Sequence, residues 1–308
     1  MNFNIYKKTK TKLELPPIQV NSKLEDPKLY IPSEGLENAV NVALALGQPL
    51  LITGEPGTGK TRLADHIAWA FGLGDAIIFN AQTTSTAKDL FYKYDALGHF
   101  QYSQTSKELL TPEMVKKKFI KYQGLGEAID RKKRCVVLID EIDKAPRDLP
   151  NDILAALEKL EFTVPEVSDH PITADKSQKP IIIMTSNSEK NLPDAFLRRV
   201  IYYHIPFPDD KMLLEILKAK TEGLEDVELN AAIAHFEHIR KGRKTKLKKN
   251  PATAELLYWV LLLQKLKIDC SKLKDLASLS EEEKKNLAIS YSVLAKNKED
   301  LDTLKKMI

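Results

Sequence analysis

The sequence predicts an α/β fold with a central parallel sheet flanked by helices, followed by an all-helical domain. Three observations carry that prediction. Unbroken apolar runs at Leu50–Ile52, Cys135–Ile139 and Ile181–Met184 read as strands covered by helices on both faces. The glycine-rich stretch Gly54-Glu55-Pro56-Gly57-Thr58-Gly59-Lys60-Thr61 lies directly between the first run and a helical pattern. Beyond Pro208 the composition turns to Leu, Lys, Glu and Ala, with no convincing strand before Ile308.

Taken in order, residues 1–30 mix Lys, Thr and Pro with short apolar pieces and read as an irregular or hairpin-like leader packed on the core. Leu36, Ala39, Val40, Ala43 and Leu44 have helical spacing across Glu34–Leu46, and Gly47-Gln48-Pro49 breaks that helix before the first strand. Thr61–Phe71 continues from the glycine-rich loop as a helix, and Ile77–Phe79 gives a short second strand. Residues 83–112 are polar, aromatic and irregular, longer than an ordinary connection, and read as a functional insertion. Cys135–Ile139 is the third strand, Leu149–Leu160 a helix, Ile181–Thr185 the fourth strand and Ile201–Phe207 the fifth. The expected organisation is therefore leader 1–30, α/β domain 31–207 and helical domain 208–308.

Length and composition narrow the function classes. The 308 residues suit one large or two modest domains, and 43% hydrophobic content supplies real cores. A net charge of +4 is too small to imply nucleic acid by itself. Cys135 and Cys270 make neither a disulfide framework nor a metal-ligand set, and a reducing cytoplasm fits them. The six histidines are scattered, and His235 with His238 on one helix face is too few ligands for zinc. No apolar run reaches membrane-spanning length, and Met1–Lys12 has no hydrophobic signal core, so neither export nor a membrane span is expected. No serine or cysteine nucleophile motif is present either.

The chemistry begins at the glycine-rich loop. Its spacing is GxxxxGK[ST], the pattern whose glycines let successive backbone N–H groups turn onto the phosphates of a nucleoside triphosphate. Gly54, Glu55, Pro56, Gly57, Thr58 and Gly59 form the cradle, Lys60 reaches the β- and γ-phosphates, and Thr61 offers its hydroxyl to Mg²⁺. Asp140 and Glu141 end the third strand, where acidic residues sit in the ligand crevice of a parallel sheet. Asp140 is expected to hold Mg²⁺ through water, and Glu141 to polarise the water that attacks the γ-phosphorus. Asn187 follows the fourth strand; its amide could orient that water, or it could merely shape a turn.

Together the stretches GEPGTGKT, VVLIDEID, MTSN and LPDAFLRRV, in this order and spacing, resemble an AAA+ ATPase of the P-loop superfamily. Within that superfamily the chain is most similar to the MoxR-type group, through DLFYKYDALG at Asp89–Gly98 and PATAELLYW at Pro251–Trp259. The resemblance implies ATP as substrate, Asn187 as a sensor at the end of the fourth strand, and an arginine finger in the following helix. Arg199 is favoured for that finger, with Arg198 as neighbour or substitute. It further implies a hexameric ring, with the finger reaching an adjoining subunit's nucleotide, and a protein client, in MoxR-like proteins often with a von Willebrand factor type A domain partner. A second sensor in the lid is also implied. Here the sequence departs from the arginine of many relatives, and Lys248 or Lys249, just before the expected helix start at Asn250-Pro251, are the candidates.

Two features keep alternative readings. The basic run Arg240–Lys249, with Lys241, Arg243, Lys244 and Lys246, is either a solvated loop or a phosphate track for a nucleic-acid motor or loader. Phe91, Tyr92, Tyr94, Phe100 and Tyr102 alternate with polar residues across Gly98-His99 and suggest a two-stranded hairpin, facing a central pore or packing on its own subunit.

Overall fold

A computed structural model describes residues 6, 8, 12–13, 21–106, 109–188, 192–242 and 247–308. The chain forms two compact units. One comprises Pro32–Gly54 and Lys60–Ile205; the other comprises Met1–Ile31, Glu55–Gly59 and Pro206–Ile308.

The first unit opens with helix α1 (Glu34–Leu46), whose N-cap Ser33 accepts the Leu36 N–H and which ends at Gly47 in the left-handed region at φ 60°. The next elements are β1 (Leu50–Gly54), α2 (Lys60–Ala70) and β2 (Ile77–Asn80). After them come β3 (Tyr92–Tyr94), α3 (Ala96–Thr105), α4 (Pro112–Phe119), β4 (Ile120–Tyr122) and α5 (Gly124–Asp130). The unit is completed by β5 (Val136–Asp140), α6 (Leu149–Lys159), β6 (Glu161–Val164), β7 (Ser168–Thr173), β8 (Ile181–Ser186), α7 (Asp194–Leu197) and β9 (Ile201–Ile205).

Five strands form a parallel sheet in the order β2-β5-β8-β1-β9. The predicted strands are all present, and β1 is buried along its whole length, as an interior parallel strand requires. Successive side chains of a strand face opposite sides. Leu51, Val137, Ile139, Ile182 and Met184 accordingly share one core with Ile77, Phe79, Leu125, Ile153, Leu157 and Phe196. Helix α2 packs against β1, β5 and β8. The register pairs Thr53 with Ser186 and Asn80 with Asp140, so the strands finish level and their carboxyl ends define one edge. Helices around a central parallel sheet, followed by a helical C-terminal part, are the predicted α/β core with its helical lid.

The insertion differs from its expected form. Tyr92–Tyr94 does form a strand, but its antiparallel partner is Ile120–Tyr122, and Gly98-His99 lies inside helix α3. Asp95 starts that helix by accepting the Gly98 N–H at 2.8 Å. Its small sheet shares a core with the β6–β7 ribbon: Tyr92, Ile129, Phe162 and Val164 are buried together, and Phe91 stacks on Phe162 at 5.1 Å. Gly126 is required there, because a Cβ would fall on the Phe91 carbonyl oxygen.

In the second unit, α8 (Asp210–Lys220), α9 (Asp226–Lys241), α10 (Thr253–Lys265), α11 (Glu281–Leu294) and α12 (Lys298–Lys305) enclose a core of Leu213, Leu217, Phe236, Trp259, Leu263 and Tyr291. Two buried polar contacts lie within it: the Trp259 indole N–H donates to Ser290 Oγ at 2.9 Å, and His235 Nε2 meets the Tyr291 hydroxyl at 2.8 Å. Helix α10 begins at Thr253, two residues after the expected start at Pro251, because the Glu255 carboxylate turns back to accept the Ala252 N–H at 3.0 Å. The described part of the leader groups with this unit. Asn21 Nδ2 donates to the Lys220 carbonyl at 3.2 Å, Lys23 pairs with Glu222 at 2.5 Å, and Leu24 packs on the helical core. No described helix is long and apolar enough to cross a membrane.

Candidate functional site

The level carboxyl ends of β1, β5 and β8 bring Gly54, Asp140 and Asn187 to one edge of the sheet, and α2 begins there with Lys60 and Thr61. Lys60 is buried, at 8% exposure. Its amine donates to the Gly54 carbonyl at 2.7 Å and to Asn187 Oδ1 at 3.0 Å. Burial lowers its pKa from the ordinary lysine value, and the charges of Asp140, Asp143 and Glu141 oppose that shift. Thr61 Oγ1 donates to Asp140 Oδ1 at 3.2 Å. Four residues read from three separate motifs thus come together as two hydrogen-bonded pairs, Lys60–Asn187 and Thr61–Asp140.

Glu141 stands beside it with its backbone at φ 57°, in the left-handed region that a non-glycine residue occupies at a cost of about 1–3 kcal/mol. Thr185 supports that turn. Its Oγ1 accepts the Glu141 N–H at 2.9 Å and donates to Asp140 Oδ1, so one buried hydroxyl ties the two acidic residues together. The Glu141 carboxylate accepts from Lys144 at 2.5 Å, an i,i+3 pair on a short turn, and this hydrogen bond raises the Lys144 pKa. Asp143 accepts the Asn187 N–H at 3.3 Å, anchoring the loop after β8 to the turn after β5. Thr185, Asp143 and Lys144 were not singled out from the sequence. The one available signal was a hydroxyl residue in an otherwise apolar strand.

Oxygen ligands suit Mg²⁺, and the Thr61 hydroxyl with the Asp140 carboxylate offers such a pair at hydrogen-bonding distance. Among the described residues no group of three or more His, Cys, Asp or Glu is arranged to bind a metal by itself.

Glu55–Gly59, the middle of the glycine-rich stretch, packs within the second unit. Gly57 and Gly59 take φ values of 81° and 86°, which side chains with a Cβ rarely adopt. Thr58 Oγ1 donates to the Glu55 carbonyl at 2.8 Å, and the Gly57 carbonyl accepts the Ala254 N–H at 3.3 Å. Arg240 Nη2 donates to Glu55 Oε2 at 3.1 Å. Lys248 and Lys249 are engaged elsewhere: their backbone N–H groups donate to the Asp300 carboxylate, and the Lys248 amine pairs with Glu299. Among the described residues, Arg240 is a basic side chain that meets the loop. Lys241 pairs with Glu237; Arg243, Lys244 and Lys246 lie outside the described residues.

Arg198 caps α7 and Arg199 follows it; both are exposed, and no hydrogen bond joins either side chain to the Lys60–Asp140 cluster. In the insertion, Tyr94 meets His99 at 2.7 Å, His99 stacks on Phe119 at 4.8 Å, and the Tyr92 hydroxyl donates to Glu166 at 2.8 Å. Most of the aromatics thus pack on their own unit, while Phe100 stays exposed.

The chain is similar to several known proteins. The family model for the AAA domain (Cdc48 subfamily) matches residues 48–235. The uncharacterized protein YehL of Escherichia coli (strain K12) is 22% identical over 242 residues, which cover 74% of this chain and 63% of that protein. Among solved structures, a RuvB mutant from Thermotoga maritima aligns over 84% of this chain and 74% of its own, with 16% identity and a TM-score of 0.44. An ATPase candidate from Cytophaga hutchinsonii aligns over 92% and 85%, with 13% identity and a TM-score of 0.42.

Proposed function

We propose that this chain, which belongs to the AAA domain family (Cdc48 subfamily), is a Mg²⁺-dependent ATPase of MoxR type that acts as a ring oligomer to remodel or activate a protein client. The observation that carries the reading is the cluster of Lys60, Thr61, Asp140 and Asn187 at one edge of the parallel sheet.

In this reading Gly54–Gly59 cradle the phosphates through backbone N–H groups, and Lys60 exchanges its bonds to Gly54 and Asn187 for β- and γ-phosphate oxygens. Thr61 and Asp140 would hold Mg²⁺, which would supply positive charge to the phosphate oxygens. Glu141 accepts a proton from the attacking water as its oxygen bonds to the γ-phosphorus, and ADP departs with the electron pair of the broken P–O bond. Asn187 orients that water, and Arg199, with Arg198 beside it, stabilises the transferring phosphoryl group of the neighbouring subunit. Residues 31–207 form the ATPase domain and 208–308 the lid. A hexamer, a cytoplasmic location and a von Willebrand factor type A domain partner complete the MoxR-type reading.

A nucleic-acid motor using the 240–249 run stands second. Against it, three of the four described cations of that run, Arg240, Lys241 and Lys248, are each paired with a carboxylate, which leaves them less available for counterion release.

Phosphate release measured against protein concentration tests the shared site. The rate per chain should rise through the assembly range, and Arg199→Ala should lower the plateau by about 10³-fold or more, the scale of a lost arginine finger. A rate per chain that stays flat through assembly contradicts it.

A further inference from the structure

We propose that Arg240 is a positioning residue for the phosphate loop: it clamps the Glu55 carboxylate and so presets the backbone of Glu55–Gly59 for a triphosphate. The proposal rests on the nucleotide reading above, and every group in it belongs to one compact unit.

Arg240 lies in the last turn of α9 with its side chain only 8% exposed. Three contacts fix its guanidinium. One nitrogen donates to the Pro251 carbonyl just before α10, another donates to Glu55 Oε2 at 3.1 Å, and the central carbon sits 3.6 Å from the Phe207 ring centroid. Phe207 in turn stacks on Phe236 of the helical core at 6.3 Å. A planar fork laid on an aromatic face can make these contacts together, whereas an ammonium lacks the planar face and carries its donors on a single nitrogen. The clamp is thereby referred to the core of the unit and not to another mobile side chain.

The loop it grips has reason to need this. Gly57 and Gly59 give the backbone its turn at φ 81° and 86°, and glycine loses more freedom than any other residue when ordered. An unanchored loop would meet that entropy cost at each binding event, weakening affinity. Further contacts converge on the same stretch. The Gly57 carbonyl accepts from the Ala254 N–H at 3.3 Å, a Cβ on Gly57 would stand 3.0 Å from the Ala252 methyl, and one on Gly59 would stand 3.2 Å from the Tyr30 ring. Glu55 is 51% exposed, so as a surface pair its contribution to overall stability is small. Its consequence belongs to loop geometry, and the test reads that geometry directly.

The experiment uses the full chain with Glu55→Gln, Arg240→Lys and the double variant, each checked by thermal melting. Binding of a non-hydrolysable ATP analogue with Mg²⁺ is measured beside hydrogen exchange of the Gly57–Gly59 amides without nucleotide. Each single variant should weaken the analogue about tenfold, with a smaller change in kcat at saturating ATP, and should speed exchange in the loop. The double variant should be no weaker than the worse single one, because both changes break one contact. Wild-type affinity and exchange in both singles, or losses that multiply in the double, overturn the clamp while leaving the nucleotide reading intact. A wild-type chain that does not bind the analogue overturns both.

Discussion

Thr185 shows how much of the site turns on one hydroxyl. Buried at 1% exposure, it accepts from the Glu141 backbone and donates to Asp140, holding the acidic pair in register although Glu141 lies at positive φ. Valine has nearly the same shape but cannot make either bond. Thr185→Val should therefore lower unfolding stability by about 1–3 kcal/mol through the orphaned Glu141 N–H and loosen Asp140 from Thr61. Urea denaturation of the variant reads the first effect, and the Mg²⁺ concentration needed for half-maximal ATPase rate reads the second; wild-type values in both contradict the role. The acidic pair was legible in the sequence because it follows an unbroken apolar run. Thr185 was not, because a β-branched threonine is unremarked in a strand. The bonds from the Lys248 and Lys249 backbone N–H groups to Asp300 were equally hidden, because Asp300 lies about 50 residues away and spacing carries no trace of it.

Among elements, those buried on both faces were the readable ones. β1, β5 and β8 advertise themselves as apolar runs because helices cover the sheet on each side. The β6–β7 ribbon escaped because Ser168–Thr173 is largely exposed and mixed in polarity, so neither period is visible. In the insertion, alternating aromatics imitated a strand, yet the local signal that won was the Asp95 cap on α3, and β3 found its partner 26 residues downstream of Tyr94 at Ile120. The lid's helices carry a consequence of their own. His235 on α9 is buried between Trp259 and Tyr291, and burial lowers its pKa from 6.5 to about 4, with His238 adding to the shift and a backbone hydrogen bond at Leu273 opposing it. The unfolded chain therefore takes up a proton below pH 6.5 that the folded chain refuses. Stability from this group is complete above pH 6.5 and is lost as pH falls toward 4, by a total of about 3 kcal/mol. Melting temperature measured from pH 7.5 to 4.5 should fall, and His235→Phe should flatten that part of the curve. An unchanged slope in the variant contradicts the assignment.

For the whole molecule, Arg198 and Arg199 lie outside the Lys60 cluster and are exposed at the end of α7. The finger role proposed above, acting on another subunit, requires that exposure. Nothing in a single chain's hydrophobic pattern would encode such an assembly. In the proposed reaction ATP is bound by the phosphate loop and hydrolysed by water that Glu141 activates. Comparing wild type with Glu141→Gln for Mg²⁺-dependent ATP binding and for phosphate release tests this. The variant should still bind ATP while its hydrolysis falls by about 10²-fold or more. A variant that hydrolyses ATP at the wild-type rate, or a wild-type chain with no Mg²⁺-dependent ATP binding, contradicts it.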